Sequence, residues 1–424
     1  MNEDEILQEL ISIVKSDSSK AIGCTEPVAI AYCSNLTVQN VNRKQINRID
    51  VRLSKNIYKN AKSVKIPGTG RSGIDLAVAL GVSIDSVTNP MLVFRGVNDS
   101  VINAADSLIN SEVITIEVLD NREDVYIEVE IEADKTAKTV ISGGHTNVSK
   151  IVVDDEIIKD KSEEKLLFDR IFDIKSLSFE QLKTIVDNAD FDKISFTLEG
   201  IDVNMQAASE GLKGYGMSLG KSLRQMYEQS KTDNDILNKT RYLAAAAADM
   251  RMGGGQYPVM TSGGSGNQGI GIILPIYIVA QENKVDDELL AKSLFFAHCL
   301  NRYVKEYSGK LSGMCGCGIA SSIGSTAGIV YMLGGNSEKI AGACSNIYAN
   351  LTGMICDGAK ESCSLKLSTS AVESIINAYL SLNGVVVEGN VGVIGDSIEN
   401  TINNIGRLSR ESFVKVDETV IDII

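Results

Sequence analysis

Along the opening turns of the chain, Ile6, Leu7, Leu10, Ile11 and Val14 recur at helical spacing and predict an amphipathic helix over Ile6–Val14. After Gly23 a second helix is predicted from about Pro27 to Leu36, with Pro27 in a first turn, where a missing N–H is harmless. The period then changes. IDVRLS (Ile49–Ser54), VITIEVL (Val113–Leu119), VYIEVEIE (Val125–Glu132) and TAKTVIS (Thr136–Ser142) alternate or are β-branched and read as strands. Turn residues Asp120, Asn121 and Asp134 lie between them, and helical patterns near Ile74–Leu80 and Val101–Leu108 interleave. Arg48–Val153 thus reads as an α+β unit, an antiparallel sheet with helices on one face.

From about Glu163 onward the pattern is almost entirely helical. DILNKTRYLAAAAADMRM (Asp235–Met252) starts on an N-cap aspartate and stops at Gly253, Gly254 and Gly255. Four glycine-rich loops, MGGGQ, TSGGSGNQG, SGMCGCG and MLGGN, alternate with these helices and predict helix ends gathered around a shared pocket. The expected fold class is α+β: a mostly helical catalytic domain with Gly-rich loops, plus a smaller α+β domain with an antiparallel sheet. The expected divisions are 1–45, N-terminal helices packing on the catalytic domain; 46–160, the α+β domain; and 161–424, the helical domain.

Composition narrows the function. The 424 residues carry a net charge of −14, which disfavours a nucleic-acid partner in the absence of a basic patch. The acidic opening MNEDEILQEL has the wrong chemistry for a targeting peptide, and the longest apolar run, Ile270–Ala280, is short for a bilayer and contains Pro275. A cytoplasmic, non-membrane protein is expected, with its eight cysteines reduced. Cys33, Cys299 and Cys344 sit in apolar helical patterns and read as core residues.

The remaining thiols carry chemistry. Cys24 follows a glycine at a helix entrance, where the helix N-terminus favours thiolate and makes a base or nucleophile; the plainer reading is a small residue in a tight turn. Cys315 and Cys317 form C-x-C, and Cys356 and Cys363 form C-x6-C. These spacings fit no common zinc ribbon but are compatible with an iron–sulfur cluster, whose thiolates come from distant loops; core packing stays equally open. His145, in ISGGHTNVS, is a glycine-flanked loop residue suited to acid–base work or substrate contact, whereas His298 in a helix reads as packing. Gly68, Gly70 and Gly73 form G-x-G-x-x-G, but no acidic strand end or second parallel strand is expected after it, so a pocket-lining turn is favoured over a dinucleotide loop. GSGNQG lacks the ending of a Walker A loop.

Seven motifs in order, GCTEP (Gly23–Pro27), SKNIYKNA (Ser54–Ala61), IPGTGRSG, GGHTNV (Gly143–Val148), SGGSGNQG (Ser262–Gly269), LSGMCGCGIASSIG and NLTGMICDGAKESC (Asn350–Cys363), resemble the L-cysteine desulfidase family, itself related to the iron–sulfur L-serine dehydratases. The resemblance implies a PLP-independent lyase that eliminates hydrogen sulfide from L-cysteine, leaving pyruvate and ammonia, on a [4Fe-4S] cluster held by three cysteines. It implies Cys356 and Cys363 as ligands, a third from the Cys315/Cys317 pair with Cys315 favoured, and Cys24 as proton acceptor. Backbone N–H groups with Ser262, Ser265 and Asn267 are candidates for the substrate carboxylate, and Lys59, Asn60 and Lys360 for charge balance. The expected partner is a small amino acid, in a homo-oligomer. L-Serine dehydration on the same cluster, a non-catalytic amino-acid or metal sensor, and a PLP lyase using Lys59 or Lys360 are the rival readings.

Overall fold

The computed structural model describes residues 1–120, 122–161 and 172–424; Asn121, expected in a turn, and Glu163, expected to open the helical half, lie outside the described residues. The first helix, α1 (Glu3–Asp17), opens with a capping box between Asn2 and Glu5 and buries Leu7, Leu10, Ile11 and Val14. A two-residue strand, β1 (Lys20–Ala21), leads into α2 (Thr25–Val38), which is apolar nearly all round and buried accordingly. There follow β2 (Arg48–Ser54), α3 (Lys55–Ala61), α4 (Ile74–Ser83) and α5 (Asp99–Asn110). Next come β3 (Ile114–Leu119), β4 (Tyr126–Glu132), β5 (Thr136–Ser142), β6 (Val148–Val153) and β7 (Glu156–Asp160).

Six strands form one sheet in the order β3-β2-β4-β5-β6-β7. All neighbours are antiparallel except β2 and β3, which run parallel with Ile49 opposite Ile114. The sheet is therefore mixed where an antiparallel one was expected. Three helices lie between β2 and β3, enough chain for the crossover a parallel pair requires. The strands β6 and β7 escaped the alternation pattern because their residues are mostly half-buried or exposed, so neither face is consistently apolar. One core packs α2 and α4 on this sheet through Val28, Ile30, Leu53, Leu80, Ile127 and Val129. A Cβ at Gly81 would stand 2.2 Å from the Ala31 carbonyl oxygen, so glycine is what lets α4 touch the α2 backbone.

The rest is helical, and the class is α+β with helix dominant. At its centre the helix Ile236–Met252 carries the alanine run, capped by Asp235 as expected. A Cβ at Gly211 would lie 1.8 Å from the Ala246 carbonyl oxygen, and one at Gly220 2.4 Å from the Ala246 nitrogen, so small residues set helix spacing here. A last short strand, β8 (Val259–Met260), pairs antiparallel with β1. The helices Gly266–Asn283, Asp287–Ser308, Ser322–Met332 and Cys363–Leu382 follow, and no helix among the described residues is long and apolar enough to cross a membrane.

The C-terminal helix Phe413–Ile423 returns to α3, where buried Lys59 forms an ion pair with Asp417. Burial pushes the Asp417 carboxyl up even with Lys59 beside it. Lys59→Met removes the cation and leaves the carboxylate stranded, a change expected to destabilise the fold by about 3–5 kcal/mol. Urea denaturation of the variant, alone and combined with Asp417→Leu, measures this: the second substitution restores much of the lost stability if the stranded charge is the cause.

Candidate functional site

Seven segments converge on one cavity. The β1–β8 pair ties the turn before α2 to the loop Thr261–Ser265, since the Ser19 carbonyl accepts from the Thr261 N–H at 3.0 Å. In that turn Gly23 is left-handed (φ +79°), and a Cβ there would meet the Pro67 ring at 2.5 Å. The G-x-G-x-x-G loop follows α3 rather than a strand, and it packs on the Cys24 turn while Gly68 donates to the Gly254 carbonyl. It is a structural clamp behind the cavity wall. The parallel strand β3 does follow it, contrary to expectation, but on the far side of α4 and α5.

Cys24 is the N-cap residue of α2, lines the cavity and is buried. Its thiol donates to Glu26 Oε2 at 2.8 Å. Burial, reinforced by the Glu26 charge, pushes the thiol well above its ordinary pKa. The lowered pKa expected from the helix N-terminus is overturned: desolvation of a fully buried thiolate outweighs the partial charge of a helix end. Glu26 is the unforeseen hub. Its Oε1 accepts from Asn60 Nδ2 at 3.1 Å and lies 3.7 Å from His145 Nε2; Oε2 also accepts from Thr25 Oγ1 at 3.1 Å. Burial raises this carboxyl, but His145, the Cys24 thiol and Arg251 together overcome it and hold Glu26 well below the usual range. His145 sits in the turn between β5 and β6, at the cavity wall.

Two cysteine loops complete the cavity lining. Met314 and Ile355 form an isolated antiparallel bridge: Cys315 N–H donates to the Met354 carbonyl and Cys356 N–H to the Gly313 carbonyl, both at 2.8 Å. Cys363 begins the helix Cys363–Leu382, and a Cβ at Gly358 would lie 2.6 Å from the Lys59 carbonyl oxygen, which presses this loop onto α3. Cys315, Cys317, Cys356 and Cys363 all line the cavity, and all are free thiols. Cys315 is drawn down to about 6 by a hydrogen bond from the Cys317 thiol, helped against burial by the N–H groups of Cys317 and Gly318. Cys317, the donor, is raised well above its ordinary value by that same bond and by burial. Burial raises Cys356 to about 11, and the charges of Cys315 and Cys363 add to it. Among the described residues, no three His, Cys, Asp or Glu side chains could together hold a single metal ion.

Several expected contacts lie elsewhere. Ser262 is held by His298 Nδ1 at 2.8 Å and Asn301 Nδ2 at 3.0 Å, behind the wall. Lys59 is committed to Asp417, and Lys360 to Asp357 at 2.6 Å. Ser265, Asn267 and Asn60 do line the cavity. Cys33, Cys299 and Cys344 are buried away from it. Two cations escaped the sequence reading. Arg251, at the end of the helix Ile236–Met252, and Lys305, in Asp287–Ser308, both reach the cavity and are buried. Each lies in the last turn or so of an ordinary helical pattern; the signal available at Arg251 was a cation one and two turns after Ala247 and Ala244, on the buried alanine face.

A mostly helical α+β protein with thiols on two bridged loops, facing a carboxylate-linked cysteine, is thereby defined, and a known class matches it: the model of the serine dehydratase alpha chain family covers residues 131–422, and the chain belongs to that family. More particularly, it is similar over its whole length to UPF0597 proteins. One from Clostridium botulinum is 43% identical over 426 residues, covering 100% of this chain and 98% of its own. Others from Clostridium perfringens (37% over 415 residues, 97% of each chain) and Alkaliphilus oremlandii (35% over 425 residues, 99% and 98%) follow the same span. Membership supports a lyase-type role. Cys24, Glu26 and Asn60 precede the span matched by the family model, whereas the UPF0597 similarity includes them.

Proposed function

We propose that the chain is an iron–sulfur lyase that eliminates hydrogen sulfide from L-cysteine, leaving pyruvate and ammonia. The observation that carries this reading is the Met314–Ile355 bridge, which brings Cys315 and Cys356 together with Cys363 at the cavity that Cys24 also lines. The donor set suits such a centre: free thiols from separate segments and backbone N–H groups turned to the Cys315 sulfur. A [4Fe-4S] cluster held by Cys315, Cys356 and Cys363 would supply a Lewis-acidic, thiophilic iron with an open position for the leaving sulfur. Cys317 then serves as hydrogen-bond donor to Cys315 rather than as a ligand, in keeping with the bond between them.

The protein side chains handle the proton. Glu26 accepts the hydrogen bond of the Cys24 thiol at 2.8 Å and so fixes where its proton lies, with His145 against the other carboxylate oxygen. As a thiolate, Cys24 is a strong base, because burial and the Glu26 charge outweigh the pull of Arg251 and raise its proton affinity, and in that form it accepts the α-proton of the substrate. The α-proton and the β-sulfur leave as the double bond forms; the resulting enamine tautomerises to an imine, and water hydrolyses it to pyruvate and ammonia.

L-Serine is the second substrate to consider, because the matching family is named for its dehydration. Anaerobically reconstituted protein given L-cysteine and L-serine side by side decides between them. Sulfide and pyruvate in equal amounts from L-cysteine, at a higher kcat/KM than pyruvate from L-serine, is the expected result. Pyruvate from L-serine without sulfide from L-cysteine moves the assignment to a dehydratase; product from neither defeats both.

A further inference from the structure

Buried cations are normally met by carboxylates, because an unpaired charge in a low-dielectric interior is expensive. Arg251 breaks that rule. It is 3% exposed, yet its Nε has no hydrogen-bond partner and, among the described residues, it makes no ion pair. Its Nη1 donates to the amide oxygen of Asn267 at 2.9 Å and contacts Met252 Sδ at 3.3 Å, neutral groups both. The guanidinium is held where Gly266 opens the helix Gly266–Asn283: a Cβ on Gly266 would stand 2.3 Å from Arg251 Nε. That helix has 18 residues, and its N-cap Ser265 makes no side-chain capping bond, so its first N–H groups and its positive end face the same space. Gln268, one turn in, is also buried at the cavity, with its Oε1 unpartnered. The other buried cation at the cavity, Lys305, donates to the Gly263 carbonyl.

We propose that Arg251 and the N-terminus of the helix Gly266–Asn283 form the binding site for the α-carboxylate of the amino-acid substrate. An arginine fork matches a carboxylate in two bonds, and the helix end adds N–H donors of the right sign. Anchoring the carboxylate there leaves the α-carbon between Arg251 and the cysteine loops, on the side of Cys24, whose thiol lies within the electrostatic reach of Arg251. The site selects for α-amino acids over amines, whatever leaving group the β-carbon carries. This assignment deepens the lyase reading and rests on the cavity being an amino-acid site, but not on which amino acid turns over.

The test uses ligands that cannot react. L-Alanine keeps the carboxylate and lacks a leaving group; ethylamine lacks the carboxylate. Titration calorimetry on the purified, anaerobically reconstituted full chain should show L-alanine binding and ethylamine binding at least tenfold weaker. Arg251→Gln should weaken L-alanine at least tenfold, with Arg251→Lys in between. Asn267→Asp, which hands Arg251 an internal carboxylate, should abolish L-alanine binding while raising the melting temperature. No saturable L-alanine binding by the unaltered protein, equal binding of ethylamine, or undiminished affinity in Arg251→Gln or Asn267→Asp overturns the assignment. The wild-type ligand comparison stands even if a variant fails to fold. If L-alanine binds through Arg251 but neither L-cysteine nor L-serine is turned over, the lyase reading fails and the carboxylate site remains.

Discussion

Cys356→Ser and Cys363→Ser each leave the anaerobically reconstituted protein colourless, with iron and acid-labile sulfide near background and no sulfide release from L-cysteine. Cys315→Ser does the same, whereas Cys317→Ser keeps most of its iron. The reasoning is geometric. The main-chain bonds of Cys315 to Met354 and of Cys356 to Gly313 fix two sulfur-bearing loops edge to edge, and Cys363 enters from a helix start pressed on α3. A cluster that keeps one iron open has no spare donor, so loss of any one thiolate removes the centre rather than weakening it. Cys317 differs because it holds the proton in its bond to Cys315. Full iron and sulfide retained in both Cys356→Ser and Cys363→Ser would place the inorganic centre elsewhere or nowhere; loss in Cys317→Ser with retention in Cys315→Ser would exchange the two roles.

Cys24→Ala has the opposite signature. Iron, sulfide and colour stay at wild-type levels, while kcat falls by roughly 10²–10⁴-fold, the usual span for removing a positioned acid–base group. Exchange of the substrate α-hydrogen with deuterated solvent disappears with it. Glu26→Gln, which keeps the shape and loses the charge that raises the proton affinity of Cys24, is expected to fall between wild type and Cys24→Ala in kcat with KM little changed, since Glu26 acts on Cys24 at 2.8 Å. Mass spectrometry of recovered L-cysteine measures the exchange. Undiminished exchange in Cys24→Ala assigns the α-proton to another base, with His145 next in line at 3.7 Å from Glu26.

The periodic elements were legible. Ile6–Val14 falls inside α1, Ile49–Ser54 inside β2, Thr136–Ser142 is β5, and Asp235 caps the helix that ends at Gly253. The misses have local causes. The strands β6 and β7 have no consistently buried face to alternate, and the parallel pairing of β2 with β3 depends on the path of three helices between them. Arg251 hid at the end of an alanine-rich helix, where a cation reads as a favourable C-terminal charge. Ser262 stood in a glycine-rich loop that looked like a ligand cradle, and only its packing against the helix Asp287–Ser308 turned it to His298.

By itself, the order of residues determined which segments coil, which extend, where glycine ends a helix, and that thiols outside the apolar helical patterns occur at positions 24, 315, 317, 356 and 363. It determined neither the ionisation of Cys24 nor the company of Arg251. Those were decided by the tertiary structure, because the energy of a charge depends on the water it has lost and on the dipoles brought to it from distant parts of the chain. Residues 24, 26, 60, 145 and 251 share one cavity only after the sheet and the helices have packed.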